Sequence, residues 1–501
     1  MSRGAEKKPS QRSLASLLAG FAVAAPDIEV TGVELDSRRI SPGDLFLACQ
    51  GTGRQHGLHY LEQAAENGAS AVAWEPAPGV AEPETGIPQI AVPGLSRRAG
   101  EIAARFFGQP SQHLFTVGLT GTDGKTSTTH LIAQTLDRLG TPCAYLGTLG
   151  YGRIGHLTKA THTTPDAVSL QRTLAHLREH RIEAAAMEVS SHALDQERVA
   201  GMKFDVGVLT NITRDHLDYH GTVENYAAAK RKLFERPELQ SAVLNRDDEH
   251  GRRWAVAFES KAVVFGVEGE TPRAGRYVIA RNLKLHDAGQ SFGVATSWGE
   301  ARLESRLLGR FNCYNLSAAL AVVLVQGAPL GDAVRALAQA STVPGRIEGY
   351  RGPKAKPLVV VDYAHTPEAL EQILKAVRAH TRKNLWCVFG CGGDRDRGKR
   401  PLMAAAAAQY ADQLIITDDN PRSEKPEAIV AEIQAGLPPG YLARVIHDRA
   451  QAIGVAVHGA DEGDVVVVAG KGHEDYQIYG TETRAFSDRA HVAELVGAPG
   501  S

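Results

Sequence analysis

The fold is decided by the stretch Thr120-Gly121-Thr122-Asp123-Gly124-Lys125-Thr126-Ser127. It follows the apolar run 114–119 and precedes a helix-like segment, which is the strand, loop and helix order of a phosphate-binding loop. The two glycines allow consecutive N–H groups and the helix N-terminus to face an anion. Lys125 adds a positive charge and Thr126 a hydroxyl for Mg²⁺. The stretch therefore predicts a nucleotide triphosphate site.

The pattern is incomplete, because Leu119 stands where G-x-x-x-x-G-K-[ST] has its first glycine. A Gly-Lys turn without a ligand is the alternative interpretation. Asp123 also places a negative charge beside the predicted phosphates.

Length and patterning predict an α/β protein of three domains. The chain has 501 residues, and about 150 residues form a typical domain. We place a small α/β domain at 1–110, a central ATP-binding domain with a mainly parallel sheet at 111–344, and a Rossmann-like domain at 345–501. In the last two, buried strand runs alternate with helical stretches, as parallel sheets require.

The charge balance predicts small-molecule partners. A formal net charge of -2 gives no electrostatic reason to expect nucleic acid or an anionic membrane. We expect a monomer. The five cysteines are scattered without zinc spacing and indicate reduced residues of a cytoplasmic protein.

The N-terminus offers an alternative location, because basic residues precede the apolar run 14–25 in the manner of a secretory signal. An ATP site and unpaired cysteines favour a cytoplasmic protein instead. We predict a tail followed by an amphipathic helix.

Polar residues follow two predicted strands of the central domain. Glu188 comes after 184–187, and His216 lies in the polar segment after 206–209. The carboxyl ends of parallel strands meet at one sheet edge, so both side chains are candidate Mg²⁺ ligands. His216 and His220 are four residues apart, but the glutamate of H-E-x-x-H is missing, which argues against a zinc protease. A surface-helix position for His220 remains open.

Other polar segments have two interpretations each. The loops 35–38 and 52–54 are candidate ligand contacts or solvated turns. Asn312 and Asn315 precede an apolar helix and either cap it or meet an adenine edge, with capping favoured.

Strands of the third domain end in polar loops that suit a zwitterion. Arg395 and Arg422 can grip a carboxylate through paired N–H groups, and Glu474 can hold an ammonium. Surface ion pairs are the alternative. Gly470-Lys471-Gly472 is not predicted to be a second phosphate loop, since no Ser or Thr follows the lysine.

The chain resembles the Mur ligases, ATP-dependent amide-forming enzymes of peptidoglycan precursor synthesis. The resemblance covers nearly the whole chain and depends on six motifs in order, at 120–126, 187–194, 214–221, 362–367, 390–400 and 419–422.

The resemblance implies a role for each set of residues. The UDP-sugar would be held by Leu35, Ser37, Thr52, Gly53 and Arg54, and its peptide by Thr163, Thr164, Ser190, Gln196 and Arg198. ATP would contact the phosphate loop together with Asn312, Asn315, Arg346 and Asp362. Lys230 matches a lysine that is carbamylated in the family. Mg²⁺ would be supported by this lysine together with Thr126, Glu188 and His216. The catalytic residues would be Lys125, Lys230, Glu188 and His216. The amino acid would meet Arg395, Asp419, Asn420, Pro421, Arg422, Gly470 and Glu474.

The same resemblance predicts the reaction. The Asn-Pro-Arg form of 420–422 is similar to enzymes that add meso-2,6-diaminopimelate, whose second amino-carboxylate head an arginine can pair. The acceptor would be UDP-N-acetylmuramoyl-L-alanyl-D-glutamate, activated by ATP as an acyl phosphate, and three substrates would require domain closure. The alternatives are a lysine-adding or other Mur-type ligase, a folylpolyglutamate synthetase, and a non-ligase ATP-binding regulatory module. His162, where the family commonly has Asn, departs from the pattern.

Overall fold

The computed structural model describes residues 11–51, 55–160, 162–273, 275–352 and 356–497. The chain divides into two compact units. One comprises Met1–Val264 with Ala321–Gly327, and the other comprises Phe265–Leu320 with Ala328–Ser501. Sheets with mainly parallel strands and helices between them occur in both, which confirms the predicted α/β class.

The first unit begins with a small parallel sheet. Its strands, in spatial order, are Gly32–Glu34, Asp44–Ala48, Ala71–Trp74 and Gln89–Ala91. Glu29–Val30 pairs separately with Arg12–Ser13 in an antiparallel ribbon. Residues 30–33, a short apolar run in the sequence, are therefore divided between these two sheets. The helices here are Leu14–Leu18, Leu61–Glu66 and Leu95–Phe106.

Burial explains the first helix. Leu14, Leu17 and Leu18 are at most 1% exposed, and their spacing of three and four residues places them on one face of the helix. That face packs into the core of the small sheet.

The central sheet of the first unit places the phosphate loop between two polar strand ends. Its strands are, in order, Ser241–Asn245, Val206–Leu209, Phe115–Thr120, Ala184–Glu188, Cys143–Gly147 and Gly150–Gly152. All are parallel except the last. The segments that follow Thr120, Glu188 and Leu209 therefore leave the sheet at the same edge, where open α/β sheets bind ligands.

Helices cover the central strands and lead back to the sheet. They are Lys125–Arg138, Ala167–Glu179, Ser191–Asp195, Leu217–His220, Val223–Arg231 and Glu249–Ala257. Strand Ala262–Val267 and helix Arg310–Gln326 contribute residues to both units.

The second unit contains three antiparallel strands and a six-stranded sheet. The antiparallel strands are Arg276–His286, Gly289–Thr296 and Gly299–Ser305. The sheet has the order Glu348–Arg351, Leu358–Asp362, Val465–Ala469, Leu385–Phe389, Gln413–Ile416 and Arg444–Val445, and only its first strand is antiparallel. Its helices are Leu330–Ala338, Pro367–Arg378, Lys399–Tyr410, Pro426–Gln434, Arg449–Gly459 and Asp488–Val496.

Two asparagines lie inside a helix that was predicted to begin after them. The helix starts at Arg310, directly after Gly309 with its positive φ of 86°. Asn312 Nδ2 donates to Leu308 O at 2.8 Å, and Asn315 Nδ2 donates to Asn312 Oδ1 at 2.9 Å. The favoured capping interpretation is therefore wrong, because both residues belong to the first two turns.

Within the described ranges, no helix combines the length and the apolar character that spanning a bilayer requires.

Candidate functional site

The phosphate loop leaves its strand through Gly121, which has a φ of 149°. A Cβ at this position would lie 1.9 Å from Oγ1 of Thr210 on the neighbouring strand end, so a side chain does not fit. Gly124, with a φ of 79°, precedes the helix that begins at Lys125. Both glycines thus make the turn that the sequence predicted.

Asn211 holds the middle of the loop from the neighbouring strand end. The N–H of Thr122 donates to Asn211 O at 2.8 Å, and the N–H of Asp123 donates to Asn211 Oδ1 at 2.9 Å. This differs from the expectation that consecutive N–H groups of the loop face an anion, because these two are engaged within the protein. The helix N-terminus at Lys125 is the remaining backbone feature that suits a phosphate.

Two lysines share one acceptor at the start of the loop. Lys125 Nζ donates to Gly121 O at 2.9 Å and to Thr122 O at 2.8 Å. Lys230 Nζ donates to the same Gly121 O at 2.8 Å and is 1% exposed. Burial and then the charge of Lys125 lower the pKa of Lys230 to about 6, and burial also lowers the pKa of Lys125. Lys230 is therefore largely a neutral amine at pH 7.

Glu188 presents its two carboxylate oxygens to different partners. Oε1 accepts from the hydroxyl of Tyr145 at 2.5 Å and from the N–H of Thr148 at 3.0 Å. Oε2 accepts from Oγ1 of Thr126 at 2.9 Å. A Cβ on Gly147 would lie 2.2 Å from Oε1, so this approach requires glycine. The sequence-predicted oxygen ligands Glu188 and Thr126 are thus adjacent.

A histidine cluster forms where His216 and His220, which follow the strand Val206–Leu209, both lie beside the ring of His192. His216 lies 4.8 Å from His192, measured between ring centroids, and has a left-handed φ of 51°. His220 is 8% exposed, and its Nε2 lies 3.0 Å from Oγ of Ser191. The surface position left open for His220 is therefore wrong, because its helix packs this ring against the histidine cluster.

No group of three or more His, Cys, Asp or Glu side chains that could hold a metal ion is found among the described residues. The donor set at the loop is an alcohol and a carboxylate, which fits Mg²⁺, a cation that takes few protein ligands together with phosphate oxygens.

The residues assigned to the peptide substrate lie close to Glu188, and one of them is hydrogen-bonded to its backbone. Thr164 Oγ1 donates to the backbone oxygen of Glu188 at 2.9 Å, and Thr163 Oγ1 lies 3.1 Å from Oγ1 of Thr148. Ser190 caps the next helix by accepting from Ala193 N at 3.1 Å. Arg198 Nε donates to Gln196 Oε1 at 2.9 Å.

A cavity of about 250 Å³ opens beside Thr163. Its lining includes the cations Arg39, Lys159 and Arg172. The cavity therefore joins the peptide residues to a cationic wall, which suits a negatively charged substrate.

The N-terminal residues assigned to the UDP-sugar are only partly described. Ser37 is buried and its Oγ donates to Gln63 Oε1 at 2.7 Å. Leu35 packs against the core of the small sheet. Thr52, Gly53 and Arg54 lie outside the described residues.

In the second unit, two strand-end loops meet through Arg422. Its Nη1 donates to Gly393 O at 2.8 Å, which ties the 419–422 loop to the loop that carries Arg395. A Cβ on Gly393 would lie 1.8 Å from Pro421 O. The close approach of the loops therefore depends on this glycine, while the Arg395 side chain remains exposed.

A buried lysine anchors the acidic side of the same region. Lys471 is 0% exposed; its Nζ donates to Glu474 Oε2 at 2.9 Å and to Asn420 Oδ1 at 3.3 Å. Gly470 brings the backbone close to Asp419, since a Cβ there would lie 2.7 Å from Asp419 Oδ2. Burial raises the pKa of Asp419. The predicted amino-acid residues on 419–422 and 470–474 thus form one cluster.

The predicted nucleotide contacts of this unit lie at its first parallel strand. Asp362 is buried and accepts from Ile347 N and Ala364 N, both at 2.8 Å; burial raises its pKa. The guanidinium of Arg346 is 5.2 Å from the ring centre of Tyr363. Asp362 therefore fixes the segment that carries Arg346.

Comparisons with known proteins cover the same regions. Family models match at 29–107 (Mur ligase family, catalytic domain), 119–323 (Mur ligase middle domain) and 345–472 (Mur ligase, glutamate ligase domain). Two curated relatives bear the name UDP-N-acetylmuramoyl-L-alanyl-D-glutamate--2,6-diaminopimelate ligase. The one from Alkalilimnicola ehrlichii is 51% identical and covers 94% of this chain and 96% of its own. The one from Pseudomonas aeruginosa is 48% identical and covers 95% and 97%.

The chain belongs to the Mur ligase family. A solved structure with the same enzyme name is 37% identical, covers 97% of this chain and 99% of its own, and has a TM-score of 0.79. As a Mur ligase, the chain is an ATP-dependent enzyme that forms amide bonds.

Two side chains of this Mur ligase, Tyr145 and Lys471, were not predicted from the sequence to belong to a site. Tyr145 lies in the apolar strand Cys143–Gly147, where an aromatic residue is expected simply to fill the core. Lys471 was considered only for a phosphate loop. The signal available for it was a lysine three residues after the run of valines 465–468, where burial requires a charged partner.

Proposed function

We propose that this chain joins meso-2,6-diaminopimelate to UDP-N-acetylmuramoyl-L-alanyl-D-glutamate. The names of two relatives near 50% identity, matched over almost their whole length, support this substrate pair. The structural observation that carries it is the cluster of Arg422, Asn420 and Glu474, in which a guanidinium and a carboxylate are fixed on adjoining loops. Such a pair suits an amino-carboxylate head, of which diaminopimelate carries two.

The reaction proceeds in two transfers. The γ-phosphoryl group of ATP passes to the terminal carboxylate of the dipeptide, which gives an acyl phosphate and ADP. The free amine of diaminopimelate then attacks the acyl carbon, the C–O bond to phosphate breaks, and the nitrogen loses a proton. Lys125 stabilises charge on the phosphoryl group in this proposal.

Mg²⁺ is the proposed cofactor, and Thr126, Glu188, His216 and Lys230 would hold it. When bound, it would supply positive charge to the phosphate oxygens. Lys230 would act as a carbamate, and its low pKa of about 6 supports this, since only a neutral amine attacks CO₂. That step forms an N–C bond and releases one proton, so the buried neutral amine becomes an anion.

Lys230 modification can be measured directly. We expect ¹³C-bicarbonate to give a carbamate carbon signal in the wild-type protein that Lys230→Met lacks. A signal of equal intensity in the variant would assign the modification elsewhere.

The function is tested by omitting each substrate in turn from a phosphate-release assay. A ligase releases phosphate only when ATP, the UDP-dipeptide and the amino acid are all present. ATP turnover without an amino acid would favour a regulatory module, and turnover with lysine equal to that with diaminopimelate would favour a lysine-adding enzyme. A folylpolyglutamate synthetase is disfavoured, because the plan of that family lacks the N-terminal domain that matches here at 29–107.

We also propose a cytoplasmic location, because ATP and the UDP-linked precursor are substrates of that compartment. The monomeric state and the domain boundaries at 110/111 and 344/345 remain predictions from the sequence.

A further inference from the structure

A hairpin that belongs to none of the predicted sites lies along the 418–422 loop. Its strands are Tyr476–Tyr479 and Glu482–Ala485. The N–H of Arg422 donates to Ile478 O at 3.0 Å, and Gly480 N donates to Arg422 O at 2.6 Å. Both backbone groups of Arg422 are therefore bound by the hairpin.

These bonds hold Arg422 in an unfavourable conformation. Its φ is 52°, in the left-handed region that residues with a Cβ seldom adopt. Such a backbone persists where the surroundings determine it. The direction in which the Arg422 side chain leaves the loop is thus set by the hairpin together with Gly393, the acceptor of its guanidinium.

Gln477 provides the side-chain part of this support. It is 7% exposed, and its Nε2 donates to Asp419 O at 2.9 Å and to Asp418 O at 3.4 Å. Ile478 N donates to Asn420 Oδ1 at 3.0 Å. The residues on the N-terminal side of Arg422 are therefore held by the same strand.

Tyr479 adds a bond at the beginning of the loop. Its hydroxyl donates to Asp418 Oδ2 at 3.2 Å, and the other oxygen of Asp418 lies 2.9 Å from Nδ1 of His447. The hairpin consequently contacts the loop from Asp418 to Arg422, a segment in which the sequence assigned roles only to 419–422.

We propose that Gln477 is a positioning residue through which the hairpin 476–485 determines amino-acid specificity. It holds the Asp418–Asp419 backbone so that the Arg422 guanidinium meets the distal carboxylate of the amino acid. This inference rests on the proposed function, because only a substrate with a second carboxylate gains from Arg422.

A double-mutant cycle separates this role from general support of the fold. The variants are Gln477→Met, Arg422→Ala and the combination, each assayed for the KM of diaminopimelate and of ATP. Met keeps the length of the side chain and removes the amide donor. Gln413→Met is the matched control, since Gln413 is exposed at the start of its strand.

If Gln477 acts through Arg422, its loss matters only while Arg422 is present. We expect Gln477→Met alone to raise the KM for diaminopimelate about tenfold, by analogy with the loss of one buried hydrogen bond. In the Arg422→Ala background the further increase should be below about twofold. The KM for ATP of each Gln477→Met variant should equal that of the same protein with Gln477. Gln413→Met should have the wild-type KM for both substrates.

Equal increases in both backgrounds, or none in either, would overturn the proposal. A wild-type enzyme that does not use diaminopimelate would instead reject the proposed function, so the two failures are distinguishable. Should Gln477→Met not fold, as judged by circular dichroism, the cycle is run with Tyr479→Phe, which removes only the hydroxyl on Asp418. The same nonadditivity is then expected.

Discussion

Lys125 and Lys230 donate to the same carbonyl oxygen, that of Gly121, at 2.9 and 2.8 Å. Burial disfavours the charged form of Lys230, and the positive charge of Lys125 beside it adds to that effect. Lys230 is the residue whose pKa falls to about 6. Burial next to Lys125 therefore leaves Lys230 largely a neutral amine at pH 7.

The pair predicts how stability changes with pH. The pKa of a lysine is near 10.5 in the unfolded chain, and that of Lys230 is about 6 in the folded protein. Between these values the unfolded state holds a proton that the native state lacks, so the free energy of unfolding rises with pH. Lys230→Met removes this penalty. We expect the variant to exceed the wild type in Tm most at pH 6, with the difference shrinking as pH approaches 10.

The measurement is thermal unfolding across this pH range in buffers free of CO₂, which keep the amine unmodified. Lys232→Met is the control, because Lys232 is 41% exposed and pairs with Asp195. A difference between Lys230→Met and wild type that is constant or grows with pH would contradict the assignment.

Arg422 should affect the KM for diaminopimelate but not the KM for ATP. We expect Arg422→Ala to raise the KM for diaminopimelate by at least about tenfold, because a charge-assisted bond to a carboxylate is lost. The KM for ATP should change little. Steady-state kinetics with each substrate varied gives both values, and Arg302→Ala, at an arginine that is 67% exposed, is the control. Equal effects on both substrates would refute the role of Arg422.

Much of the fold was predictable because its signals are local. Buried parallel strands have continuous apolar sequences, so 184–187, 358–362 and 465–468 were recognisable without a structure. The loop at 120–127 also followed from its neighbours in sequence. The family and its ligase activity, inferred from motifs in order, are confirmed.

Local sequence patterns do not reveal contacts between distant segments, and Lys230 was assigned a role only through the family resemblance. Lys230 lies on an otherwise ordinary helix, and its burial against Gly121 bridges 109 positions. His220 is buried because Ser191 lies opposite it. Asn312 was misplaced because the helix begins immediately after Gly309, before the apolar run that was used to locate it. Periodicity within one segment contains none of this information.

The need for glycine at position 121 is a prediction about ATP binding. Gly121→Ala would place a methyl group 1.9 Å from Oγ1 of Thr210, so the loop must shift. We expect titration calorimetry to show ATP affinity at least about tenfold weaker, which is the effect of losing one hydrogen bond to a charged phosphate. Gly454→Ala is the control, since nothing lies within 4 Å of a Cβ there. Wild-type affinity in Gly121→Ala would show that the loop tolerates the shift.

Tyr145 should affect the affinity of the site for a metal ion without itself being a ligand. Its hydroxyl holds Glu188 Oε1 at 2.5 Å, which directs Oε2 toward Thr126. Removal of an outer partner of a ligand typically weakens metal binding about 10- to 100-fold, so we expect Tyr145→Phe to bind Mn²⁺, used as a spectroscopic probe, about tenfold more weakly. Electron paramagnetic resonance of free Mn²⁺ measures this without turnover. Tyr410→Phe is the matched control, because Tyr410 also donates to a glutamate, Glu371, at 3.1 Å but lies in the second unit. If both variants bind Mn²⁺ like the wild type, Glu188 keeps its orientation through Thr148 alone and Tyr145 has no part in the site.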